Sequence, residues 1–308
     1  MYSSPNPPFV QPLLEHLAPG KKSWLTLRND DLYTFRFGDP AYVREYVLNI
    51  PPADKIAGFY MGPDGYVWGR DFLERHPDPG PRPLVIEKQW YSFLLWGRLS
   101  YDPSLPDSLF ERLLAARHPG ASSCHLFQAL QAASQVMPLV TRFFWGDIDL
   151  KWYPEACLSH PRSKGFYTVR HFMEGTSMPG ANVLCIRDWR RRLLGRQAMR
   201  QTTPLEIAGA LDAAAEKTQQ ALEALREATR EDSELRKTAG DCEALAWLGR
   251  YYAAKIRGAC ALALYDANRD EFERAAAVRH LEEALSCWTK YAAVRDAQYV
   301  PALYNRVG

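Results

Sequence analysis

The sequence is short of anything that would mark it electrostatically. Lys and Arg number 38 against 36 Asp and Glu, a net charge of +2, so bulk charge gives no reason to expect a polyanion or a membrane surface as partner. Cysteine is scarce: Cys124, Cys157, Cys185, Cys242, Cys260 and Cys287 include no C-x-x-C pair. This excludes a zinc ribbon or a dense disulfide framework and leaves buried thiols as the reading for most of them. No apolar run approaches the roughly 18 residues of a spanning helix. Met1-Tyr2-Ser3-Ser4-Pro5 lacks the basic and then apolar pattern of a secretory leader. A soluble chain with neither leader nor membrane partner is expected, with no compartment assigned. Gly-rich phosphate loops and the G-x-S-x-G elbow are also missing, so no cofactor is expected. His171 and Glu174 stand three apart without a third ligand, so no metal is expected either.

Proline is absent between Leu205 and Val300, although the chain holds 22. Pro, Gly and Trp crowd the first two thirds, and the remainder is rich in Ala, Leu, Glu and Arg. Two regions follow from that contrast: β/α units over residues 1–120 and a helical domain over 121–308. The first carries an apolar run Ser23–Arg28, a polar cluster, and a helical pattern from Asp39-Pro40 through Val43, Tyr46, Val47 and Ile50. Residues 55–61 form a second strand-like run, followed by the turn chemistry of Gly62-Pro63-Asp64-Gly65. Pro83 to Lys88 reads as a third strand leading into the helical stretch Gln89–Leu99. Strands spaced by roughly 30 residues are the repeat of a βαβ unit, and a complete β/α barrel needs about 250 residues. The expected fold class is therefore α/β plus all-α, an incomplete (β/α) barrel-like region followed by a helical bundle. A small open sheet covered by helices is the alternative.

Helical periodicity resumes at Asp107, stops at His118-Pro119-Gly120 and returns from Ser122 to Val140. Residues 143–182 have poor period and many aromatics, and read as an ordered excursion. Thr203-Pro204-Leu205-Glu206 then offers a capping Thr, a Pro at the first helical position and a Glu at the third. Stripes Ile207/Leu211/Ala214/Thr218/Leu222, Leu245/Leu248/Tyr252/Ile256/Ala259 and Phe272/Ala276/Leu281/Leu285/Trp288 predict an antiparallel bundle, and a homo-oligomer formed through it is expected.

Tyr91 to Pro103, following Glu87 and preceding a helical C-terminal region, resembles the last barrel unit of family 67 type α-glucuronidases and related large glycoside hydrolases. The resemblance covers about the first 120 residues. It implies the C-terminal part of a barrel enzyme that hydrolyses a glycosidic bond with carboxyl groups, its later helices serving dimerisation. The alternative is a non-catalytic carbohydrate-binding or dimerisation module.

In such a barrel the C-terminal strand ends face the ligand, and glycosidases need two carboxyls about 5 to 9.5 Å apart. Asp30, Asp31 and Glu87 are the expected catalytic acids, with Asp64 beside them. Each has a bland reading as well: a helix cap for Asp30 and Asp31, a simple turn for Asp64, an ion pair for Glu87. Tyr60, Tyr66, Trp68, Trp90 and Trp96 offer faces for sugar stacking, and fit a core equally well. Arg28 and Arg70 suit a uronate carboxylate bidentately, or a structural ion pair with Asp31 or Asp71. The run Arg187, Arg190, Arg191, Arg192, Arg196 and Arg200 interleaves with Trp189, Leu193 and Leu194, the pattern of an amphipathic helix with a solvated face, so a nucleic-acid partner is not expected and a glycan is.

Overall fold

A computed structural model describes residues 12, 14–28, 35–62, 74–80, 85–145 and 167–300, with the backbone alone at 26–28, 60–62 and 85–86. Two strands are placed where the apolar runs predict them, β1 Ser23–Arg28 and β2 Ile56–Gly62. They pair in parallel, Thr26 against Tyr60 and Arg28 against Gly62, which obliges the chain to cross over between them. The crossover is α1, Pro40–Leu48, opened by Asp39, whose carboxylate accepts from the Ala41 N–H, with Pro40 preset for the first turn. Leu25 and Ile56 bury one sheet face against Leu14.

The expected third strand is a correction. Residues Val85–Lys88 form a short helix, α2, and among the described residues the sheet stops at two strands, so no β/α barrel is formed by them. The β-branched pair Val85-Ile86 has strand propensity, but a run this short cannot separate strand from helix by period. Tertiary packing decides: Lys88 and Gln89 are buried, and the chain turns directly into α3, Trp90–Tyr101.

The rest is helical: α4 Asp107–Arg117, α5 Ser123–Ser134, α6 Val136–Phe143, α7 Val169–Glu174, α8 Ile186–Leu194, α9 Pro204–Ala224, α10 Ala228–Glu231, α11 Ser233–Asn268 and α12 Glu271–Gln298. Of the expected excursion, residues 146–166 lie outside the described residues. Its described part includes α7, where Thr168 and His171 form a reciprocal cap, so the His171 ring is occupied in starting a helix. In α8 the apolar side, Ile186 and Trp189, is buried and Arg190 Nη1 donates to the Ala263 carbonyl at 3.3 Å.

The predicted capping box closes at α9: the Glu206 carboxylate accepts from the Thr203 N–H at 2.7 Å and Thr203 Oγ1 accepts from the Glu206 N–H at 3.3 Å. Helices α11 and α12 are longer than their stripes suggest, 36 and 28 residues. They meet in a tight hairpin because Arg269 takes a left-handed φ of 58° and Asp270 caps α12 at once. One continuous core of buried residues runs from Phe35 to Tyr291 and crosses residue 120 without interruption. Trp96 lies inside it, 2% exposed, edge-on to Tyr46 and Phe59 with ring centroids 5.3 and 5.8 Å away. It is a core residue and offers no face to a sugar.

Candidate functional site

Ligands of parallel α/β structures sit beyond the C-terminal strand ends, where loops leave the sheet and backbone groups are free. Here Arg28 and Gly62 are register partners, so both strands end at the same level. Arg28 closes β1 and Tyr60 stands two residues before the end of β2, both described by backbone alone. Asp30 and Asp31 fall in the segment that leaves β1, and Asp64, Trp68 and Arg70 in the one that leaves β2; all five lie outside the described residues.

Both segments return to the same face of α11. The first re-enters at Phe35 and Arg36. Arg36 Nη1 donates to Asp241 Oδ2 at 2.5 Å, and Asp241 is fully buried. Its other oxygen accepts from the Tyr299 hydroxyl and from Gln298 Nε2, each at 2.9 Å, and from Arg295 Nη1 at 3.4 Å. Arg295 also covers the rings of Phe35 and Tyr299 at 4.7 and 4.2 Å, and Lys88 Nζ stands 4.8 Å from the Tyr299 ring. Burial alone would depress the Arg36 guanidinium, but the carboxylate beside it wins and raises its pKa. Burial and the same carboxylate push the Tyr299 hydroxyl up.

The second segment re-enters at Glu74, one turn of α11 away. Lys237 Nζ donates to Glu74 Oε2 at 2.8 Å and to Asp78 Oδ2 at 2.6 Å, and Ser233 Oγ to Asp78 Oδ1 at 2.8 Å. Hydrogen bonds from Lys237 and Ser233 hold the Asp78 carboxyl below its ordinary range. The Lys237 ammonium is raised: desolvation opposes charge, but Asp78 and Glu74 outweigh it. The backbone joins in, the Arg75 N–H bonding the Gln298 carbonyl at 2.9 Å. Outside this strap lies an open groove of about 780 Å³, walled by Glu74, Arg236, Lys237, Gly240, Val294 and Gln298 among others. It offers both ammonium or guanidinium donors and carboxylate acceptors, the polar equipment that a hydroxyl-rich ligand needs.

Glu87 and Trp90 are described directly. Glu87 is exposed and sits on α2, not at a strand end, which corrects the position expected for it. Trp90 is partly buried; its Nε1 donates to Glu234 Oε1 at 3.0 Å and Arg117 lies over its ring at 5.6 Å. Arg117 Nη2 reaches Glu234 Oε2 at 2.8 Å, and His118 Nδ1 lies 2.5 Å from Asp232 Oδ2. Burial would raise Asp232, but the Leu235 N–H and His118 hold it low, and it caps α11. Asp39 differs: burial pushes its carboxyl up to about 6 against the hydrogen bonds from Tyr42 and Ala41.

The Asp241 cluster and the Lys237 strap were not foreseen. One signal was present: Thr238, Asp241, Cys242 and Leu245 share a helical face, and an acid on an apolar stripe is expensive unless paired. Among the described residues no group of His, Cys, Asp and Glu is arranged to hold a metal, and no described helix is long and apolar enough to cross a membrane.

No family model matches the chain, and no curated protein matches it. A solved structure does: a GH138 enzyme targeting pectin rhamnogalacturonan II, 15% identical, with a TM-score of 0.74 over 91% of this chain. The chain spans about a third of that structure, 34% of its length. The fold is thus similar to part of a glycoside hydrolase, and the likeness does not single out the family 67 enzymes.

Proposed function

We propose that this chain is a carbohydrate-active protein of the glycoside hydrolase kind, holding its glycan beyond the C-terminal ends of β1 and β2. The observation that carries the reading is the fold likeness to the GH138 enzyme over 91% of the chain. In this proposal Asp30 and Asp31, leaving β1, and Glu87, at the entrance to α3, supply the carboxyl groups. One protonates the glycosidic oxygen while another acts as nucleophile or activates water. Tyr60, Trp68 and Trp90 stack on the sugar, Asp64 accepts from its hydroxyls, and Arg28 and Arg70 pair with a uronate carboxylate.

The test is hydrolysis and binding on a panel of neutral and uronate-containing glycans, rhamnogalacturonan II oligosaccharides included. The purified chain is compared with Asp30→Asn, Asp31→Asn and Glu87→Gln. Loss of a carboxyl acting in proton transfer costs about 100-fold or more in rate. If all three variants hydrolyse as the parent does, the carboxyl assignment fails. A second reading, a glycan-binding or dimerisation module, is favoured by the same comparison, since the match spans 34% of the enzyme's length. It requires sugar affinity without hydrolysis and a dimer in solution.

A further inference from the structure

The first turn of α3 borders a small, narrow pocket of about 20 Å³, lined by Gln89, Ser92, Leu114, His118, Leu126 and Thr238 among others. Gln89 and Ser92 are each 1% exposed. The Gln89 amide nitrogen donates to the Phe35 carbonyl at 3.3 Å, but no protein group reaches Gln89 Oε1 or Ser92 Oγ. The second omission is unusual for this chain. Helical Ser134 and Thr141 both turn their hydroxyls back onto the carbonyl four residues earlier, at 2.6 and 2.9 Å, the ordinary way to satisfy such a group. Ser92 forgoes that bond and lines the pocket. Buried polar atoms are rarely left without a partner. A space of this size holds one water, which needs two to four polar neighbours.

We propose that one internal water molecule is bound here, donating a hydrogen bond to Gln89 Oε1 and sharing another with Ser92 Oγ. The site does not depend on the glycan reading. The water ties together the turn from α2 into α3, and this turn presents Lys88 to Tyr299 and Trp90 to Glu234. It therefore acts as a structural ligand that fixes two side chains next to the strap on α11.

A crystal structure of the whole chain at about 1.8 Å tests it directly. One ordered oxygen within 2.6–3.2 Å of both atoms is expected, and a pocket without density overturns the proposal. Ser92→Ala gives an independent answer in solution. A hydrated site loses a hydrogen bond, and the folding equilibrium constant falls about fivefold. A dry site sheds an unpaired hydroxyl, so an unchanged or increased constant also overturns the proposal.

Discussion

Replacing Asp241 by Asn removes a charge while keeping the side-chain shape, and it isolates the role of the buried carboxylate. Asp241 is fully buried and accepts from Arg36, Arg295, Gln298 and Tyr299. Arg36, 8% exposed, has no water to turn to when its partner is neutralised. Breaking a buried ion pair from one side costs about 3–5 kcal/mol, because the surviving charge stays desolvated. Native proteins hold about 5–15 kcal/mol in total, so the substitution removes a large share. At about 2–4 °C per kcal/mol for a large domain, the unfolding midpoint drops by roughly 10 °C. Urea unfolding followed by circular dichroism measures the loss. The double variant Arg36→Met/Asp241→Leu should recover part of it, since an apolar pair is often neutral where an ion pair stood. A loss under about 1 kcal/mol for Asp241→Asn, or a double variant that simply sums two single losses, refutes the claim that Arg36 and Asp241 are coupled.

Asp39 yields a pH prediction. Its carboxyl is raised from 3.8 to about 6 in the fold, so its contribution is full below pH 3.8 and is lost as the pH rises through about 6. Two units amount to about 3 kcal/mol. Asp39→Asn, which still caps α1, should therefore flatten stability between pH 4 and 6 in urea titrations and match or exceed the parent at pH 7. Thr203→Ala opens the capping box of α9 and should cost about 1 kcal/mol, read from thermal unfolding. At Gly38 an added Cβ would stand 2.7 Å from Leu130 Cβ and 2.9 Å from the Tyr91 ring. Gly38→Ala should thus lose about 1–3 kcal/mol by overpacking, with a stable variant counting against the close approach of these elements.

What could be read from the sequence was local. The capping box at Thr203, the Pro at the start of α1 and the apolar runs of β1 and β2 each contain their own instruction within a few residues, and each forms as read. Val85-Ile86 fails for the same reason: two β-branched residues say strand, and only the burial of Lys88 and Gln89, settled by distant helices, makes the segment helical. Trp90 and Trp96 were alike as aromatic candidates. The fold separates them by burying one in the core and setting the other against Arg117 and Glu234. Arg36 and Asp241 lie 205 residues apart, a separation over which no spacing rule operates.

That separation also sets a schedule. The two segments leaving the sheet are tied at their re-entry points, Arg36 and Glu74, to Asp241 and Lys237, residues made far later. At synthesis rates of about 5–20 residues per second, roughly 10–40 s pass between the emergence of Arg36 and that of Asp241. During that interval Arg36 and Glu74 have no α11 partners, and the strand pair has its local packing, Leu25 and Ile56 on Leu14 and Phe59 on Tyr46 and Trp96. The tethering of both segments is completed only when the first three turns of α11 have been made.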